Sequence, residues 1–192
     1  MANKIIIKNI RYAPLTPETL GDFETLFGRN GACGGCWCMN WLLDKKDFNQ
    51  GKGTTNRNRM RRLVRSGKEP GLLAFYNDEP VGWVAAAPRE DYVYLSRSRV
   101  LKPIDQKPVW SVSCLFIRKD YREQGLSVQM LKQIKRFVKE RGGKIVEGYP
   151  YEPGQKLPGA FVWTGLSGAY IKAGYKEAAR FSEARPIFRG RV

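Results

Sequence analysis

The chain of 192 residues contains no histidine. That absence removes serine–histidine and cysteine–histidine nucleophile pairs, histidine-ligated zinc and any imidazole base. Chemistry performed here must use glutamate, aspartate, tyrosine, cysteine, lysine or water. Long apolar runs are missing as well. Ile5-Ile6-Ile7 is bounded by Lys4 and Lys8, and nothing approaches the roughly twenty apolar residues of a membrane-spanning helix. The N-terminus lacks an extended apolar segment with a cleavage site, so no secretory signal is expected and the default location is cytoplasmic. Acids are scarce: 18 Asp and Glu face 34 Lys and Arg, a formal net charge of +16. Such a field attracts anions, whether nucleic acid, an anionic membrane or a phosphorylated cofactor. It serves solubility equally well. Only four cysteines are present. Cys33-Gly-Gly-Cys36-Trp-Cys38 holds one CxxC spacing where zinc sites prefer two, so no metal is expected.

What is present reads as globular, with 42% apolar and 27% charged residues. The length fits a single domain over residues 1–192 with a genuine core. Isoleucine enrichment at 4–10 predicts a first strand. Thr16-Pro17-Glu18 supplies a helix start, and Leu20, Phe23, Leu26 and Phe27 follow at helical spacing until Gly28. Thr54 or Thr55 opens a helix crowded by Arg57, Arg59, Arg61, Arg62 and Arg65. Leu72–Tyr76 and Val81–Ala87 form a hairpin across Asn77-Asp78-Glu79-Pro80. Residues 88–108 read as a long loop. Strands at 144–149, 175–181 and 187–192, a loop at 150–158 and a short helix at 164–173 complete the chain.

The most informative stretch is Val109 to Gly143. An apolar run, Val109 to Ile117, precedes a basic turn, Arg122-Glu123-Gln124-Gly125-Leu126-Ser127. An amphipathic helix follows, with Met130, Leu131, Ile134, Phe137 and Val138 as its apolar stripe. A buried strand, a tight turn and a helix aim free amides and the positive dipole end at one corner, where a phosphate or pyrophosphate can bind. Gly125 permits close backbone approach, and Ser127 adds a hydroxyl.

Arg122-x-x-Gly125-x-Ser127 after an apolar strand resembles the acetyl-coenzyme A loop of the GNAT acetyltransferase superfamily, usually Arg/Gln-x-x-Gly-x-Gly/Ala. Downstream, Ala169-Tyr170-Ile171-Lys172-Ala173-Gly174-Tyr175 is similar to that family's late helix-to-strand signature. The Cys-Trp-Cys segment resembles a group of bacterial GNAT proteins. The resemblance implies an α/β (α+β) fold: a mixed, mostly antiparallel central sheet, helices on both faces and a splayed central strand pair. It also implies acetyl transfer from acetyl-coenzyme A to an amine of a small molecule or peptide, by direct attack on the thioester.

In that frame the backbone of Leu115, Phe116 and Ile117 would pair with the cofactor's pantetheine arm. The amides of Arg122, Glu123, Gln124, Gly125, Leu126 and Ser127 would hold its pyrophosphate, with Arg118, Lys119 or Arg122 near the 3′-phosphate. Tyr170 aligns with the family's general acid, and a phenol with a pKa of about 10 suits a departing thiolate. Glu147, on the next strand, is a candidate base, with Glu152 beyond it. Trp37 and Trp41 would line an aromatic acceptor pocket. The chain departs from the family pattern at three points: no carboxylate on the central strand, Trp163 for an Asn, and Ser127 for Gly or Ala. Two other readings stand beside transfer. One is a nucleic-acid-binding module built on the arginine helix, the other a coenzyme A-binding sensor without catalysis. No membrane partner is expected, and the chain would be a monomer or homodimer.

Overall fold

Seven strands share one sheet in the computed structural model, which describes residues 7–152 and 162–192. In chain order the elements are β1 (Arg11–Pro14), α1 (Leu20–Phe27), α2 (Lys45–Gln50), α3 (Thr54–Arg65), β2 (Gly71–Tyr76), β3 (Glu79–Pro88), α4 (Val93–Arg97), β4 (Trp110–Ile117), α5 (Leu126–Glu140), β5 (Ile145–Gly148), α6 (Ser167–Lys172), β6 (Lys176–Arg180) and β7 (Pro186–Arg191). The sheet order is β1-β2-β3-β4-β5-β7-β6. Every neighbouring pair is antiparallel except β4 and β5. This is the mixed, mostly antiparallel sheet expected from the sequence.

Period-2 alternation sends side chains of β2 and β3 to opposite faces. Leu72, Ala74, Val84 and Ala86 pack with α5 on one side. Leu73, Phe75, Trp83 and Ala85 pack with α1 and α3 on the other. All five residues of the stripe predicted for α5 are buried, together with Leu126. Each fully buried Leu or Ile side chain there contributes roughly 1.5–3 kcal/mol. The β2–β3 hairpin turns through Asn77 and Asp78 at φ 47° and 61°, the left-handed pair that a two-residue hairpin loop requires.

Three expectations are corrected. Residues 7–10 form no strand: residues 4–6 of the expected strand lie outside the described residues, among which β1 begins at Arg11, paired with Phe75. Asn9 at φ 60° breaks the extended run, and the Ile7 N–H goes instead to the Gln124 carbonyl. The first helix starts at Leu20, because Thr19 Oγ1 accepts the Thr16 N–H at 2.9 Å and donates to the Pro14 carbonyl at 2.8 Å, holding a turn. The 88–108 loop contains α4. Most of the loop expected at 150–158 lies outside the described residues.

Candidate active site

The β4–β5 pairing stops at Val112 opposite Gly148, and β4 runs on to Ile117 paired with β3 only. Pro150 lacks an N–H, which helps end β5's ladder there. Against β3 the register shifts between Ala85 and Ala86, which pair with Cys114 and Val112 and leave Ser113 as the extra residue of a bulge. A cleft of about 1200 Å³ opens along the free edge of β4.

At one end of the cleft the chain passes from β4 into α5. Glu123 and Gly125 are left-handed, at φ 61° and 77°, which curls consecutive amides toward one point. Gly125 caps α5 without a side-chain hydrogen bond. Among the described residues, the amides of Glu123 through Val128 donate to nothing. Arg122, Lys132 and Lys172 line the same cleft. Arg122 Nε donates to the Ile117 carbonyl at 2.9 Å, tying the turn to the strand. The corner therefore has the form of an anion cradle in a cleft with basic walls. Arg118, by contrast, is spent on Asp120 and Glu79.

Along the strand the three expected backbone residues divide. Leu115 N–H donates to the Trp163 carbonyl at 2.5 Å, and the Ile117 carbonyl accepts from Arg122, so both face the open edge. Phe116 lies between them, opposite Trp83, and alternation turns its backbone toward β3.

Residues 38–150 match the acetyltransferase (GNAT) family. The chain belongs to this family. No curated protein is detectably similar in sequence. The fold is similar to that of PaiA N-acetyltransferase from Thermoplasma acidophilum, solved in complex with coenzyme A: 14% identity, TM-score 0.53, 96% of this chain and 100% of that one. A GNAT acetyltransferase from Streptococcus agalactiae aligns with 11% identity and TM-score 0.56 over 98% of both chains. The aminoglycoside 6′-N-acetyltransferase of Acinetobacter baumannii aligns with 15% identity and TM-score 0.51 over 90% of this chain and 94% of that one.

In this GNAT protein Tyr170 sits at the crotch of the splay. A Cβ on Gly148 would lie 2.0 Å from its ring, and the ring also approaches Gly165. Its hydroxyl donates to the Thr164 carbonyl at 3.0 Å. Burial pushes the phenol pKa well up, so it is protonated. Tyr170 lies behind the cleft wall formed by Leu115, Trp163 and Gly165, rather than in the wall itself.

Glu147 is not brought to the cleft. It is fully buried on β5, where Arg89 Nη1 donates to one oxygen at 2.9 Å and Arg189 Nε to the other at 2.8 Å. Tyr149 adds a third donor at 2.6 Å. Alternation does place Glu147 with Tyr149, but that face meets Arg89 and Arg189. Glu152 is likewise engaged, with Arg180 and Ser167.

The two tryptophans part company. Trp37 is core: it stacks on Phe27 at 5.9 Å, under the Arg57 guanidinium. Trp41 does line the cleft, backed by Tyr94 at 5.0 Å and Tyr149 at 5.4 Å. The Gly/Cys segment is held by close approach. A Cβ on Gly35 would meet the Gly53 amide at 2.2 Å, and the Gly53 N–H donates to the Gly35 carbonyl at 3.0 Å.

Sequence reading missed Cys114 as part of the cleft wall. Cys36, Cys38 and Cys114 all line the cleft beside the β4 bulge, and Ser113 Oγ donates to the Tyr92 hydroxyl there. Lys132 could have been found, two helical turns beyond Gly125 and on the same face. No helix among the described residues is long and apolar enough to cross a membrane. The arginine helix is largely occupied: Arg57 and Arg61 both bind Glu24, and Arg59 donates to the Asp47 carbonyl.

Proposed function

We propose that the protein moves an acetyl group from acetyl-coenzyme A to an amine of a small molecule or peptide by direct attack on the thioester. The observation that carries this reading is the set of undonated amides from Glu123 to Val128, converging beside the open edge of β4. A pyrophosphate fits that cradle: it would accept several N–H bonds and meet the dipole of a fifteen-residue helix. Ser127 Oγ lines the same corner. When bound, acetyl-coenzyme A supplies an acyl group already activated as a thioester.

The chain's own groups then have distinct tasks. Amides 123–127 hold the pyrophosphate, with Arg122 close by. The Leu115 N–H and the backbone of Ile117 pair with the pantetheine amides, which requires the Trp163 carbonyl to give way. Tyr170, released from Thr164 by the same shift, protonates the departing thiolate. Trp41 packs against the acceptor. Exclusion of water from the apolar walls strengthens each of these hydrogen bonds.

The reading is tested by titrating acetyl-coenzyme A calorimetrically and following thiol release with a panel of primary amines. Micromolar binding with amine-dependent thiol release is expected. Absence of acetyl-coenzyme A binding to the folded protein contradicts it.

A further inference from the structure

The cleft wall at the β4 bulge is a cluster of thiols. Cys38 is buried, and its Sγ accepts the Trp83 Nε1–H at 3.2 Å. Cys114 on β4 lines the same cleft. The backbone presenting it is costly: Trp37 and Cys38 are consecutive non-glycine residues at φ 48° and 59°. Strain of this kind, about 1–3 kcal/mol per residue, persists where the surroundings impose it and clusters at functional sites. Stacking of Trp37 on Phe27 and the Gly35–Gly53 contact impose it here. The sole carboxylate lining the cleft among the described residues is Glu123, at the phosphate end.

We propose that Cys38 is the proton acceptor of this site, receiving a proton from the incoming ammonium so that the neutral amine can attack. The inference rests on the acetyl-transfer reading and names the base which that reading leaves open. An ammonium sheds two protons on becoming an amide. One N–H bond breaks as an S–H bond forms at Cys38, and that proton later passes to solvent. The nitrogen attacks the carbonyl, the thioester C–S bond breaks, and Tyr170 O–H protonates the departing thiolate. The second nitrogen proton restores Tyr170.

The groups facing Cys38 are the Trp83 N–H from β3, Cys114 from β4, Cys36 in its own segment and Tyr92 before α4. Hydrogen bonding to Cys114 and then the Trp83 N–H lower the Cys38 pKa against the opposing effect of burial. Cys114 is raised by the same pairing, and burial pushes Cys36 up to about 11. Within the cluster, ionisation is therefore favoured at Cys38 over Cys36 and Cys114.

The test is iodoacetamide alkylation of the intact protein across pH, with sites read by peptide mass spectrometry. Free N-acetylcysteine in the same solution serves as the reference thiol, because Cys33, although exposed, lines the same cleft. Cys38 should alkylate with a lower pH midpoint than that reference, and saturating acetyl-coenzyme A should slow Cys38 by about tenfold or more while leaving the reference unchanged. Trp83→Phe and, independently of that core substitution, Cys114→Ala should each move the Cys38 midpoint upward. A midpoint at or above that of the reference thiol, no alkylation of Cys38 where the reference reacts, or cofactor binding without protection overturns the assignment. Calorimetry on the same sample separates this from failure of acetyl-coenzyme A binding itself, which would overturn the parent reading.

Discussion

The Leu115 N–H and the Trp163 carbonyl are hydrogen-bonded at 2.5 Å on the edge of β4 that β5 leaves open. The next carbonyl, that of Thr164, accepts the Tyr170 hydroxyl at 3.0 Å. Two adjacent peptide groups therefore occupy the partners that a cofactor arm and a departing thiolate need. Binding of acetyl-coenzyme A is expected to exchange both at once. Trp163 lies in the cleft wall, so its fluorescence should report the exchange. Trp163→Phe should abolish most of the intrinsic emission change on acetyl-coenzyme A addition. An undiminished change in the variant contradicts the exchange.

Tyr170→Phe removes the proposed proton donor and leaves the turn before α5 intact. Turnover should fall by about 10²-fold, in the range of general acid catalysis, with the acetyl-coenzyme A dissociation constant nearly unchanged. Loss of the bond to Thr164 should cost about 1 kcal/mol of stability. Steady-state kinetics alongside calorimetry checks the split, and unchanged turnover refutes the acid role.

Gly148→Ala places a methyl 2.0 Å from the Tyr170 ring. Overpacking of this kind costs about 1–3 kcal/mol, so thermal denaturation should show a clear loss of stability. Gly168→Ala is the matched control in α6: no atom lies within 4 Å of its added Cβ, and helix propensity favours alanine. Equal behaviour of the two variants would contradict the packing described for Tyr170.

Glu24 is held at a pKa of about 2 by hydrogen bonds from Arg61 and Arg57, against an ordinary value of 4.5. A carboxylate depressed on folding contributes stability above its unfolded pKa and loses it as pH falls through its folded one. The thermal midpoint should therefore drop between pH 4.5 and pH 2, and Glu24→Gln should flatten that part of the curve. An unaltered slope in the variant would assign the acid sensitivity to other groups.

The strand–turn–helix corner at Gly125 was legible because its determinants are local. Gly125 demands a left-handed turn, Ile117 ends an apolar run, and the stripe from Met130 to Val138 has helical period. The hairpin at Asn77-Asp78 was readable for the same reason. What escaped depends on long-range contacts. Alternation puts Glu147 beside Tyr149, but no local pattern reveals that Arg89 and Arg189 close over it. The Ser113 bulge arises from pairing with β3, and the left-handed pair Trp37-Cys38 from contacts with Phe27 and Gly53. Arg57 and Arg61 looked like an exposed basic face because Glu24, which binds them, lies more than thirty residues earlier.

The most direct measurement is an amide ¹H–¹⁵N shift titration of the protein with acetyl-coenzyme A. The largest perturbations should fall on Glu123 to Val128 and on Leu115, with α3 essentially still. Binding that leaves those amides unperturbed, or perturbs the arginines of α3 instead, would contradict the placement of the pyrophosphate at the start of α5.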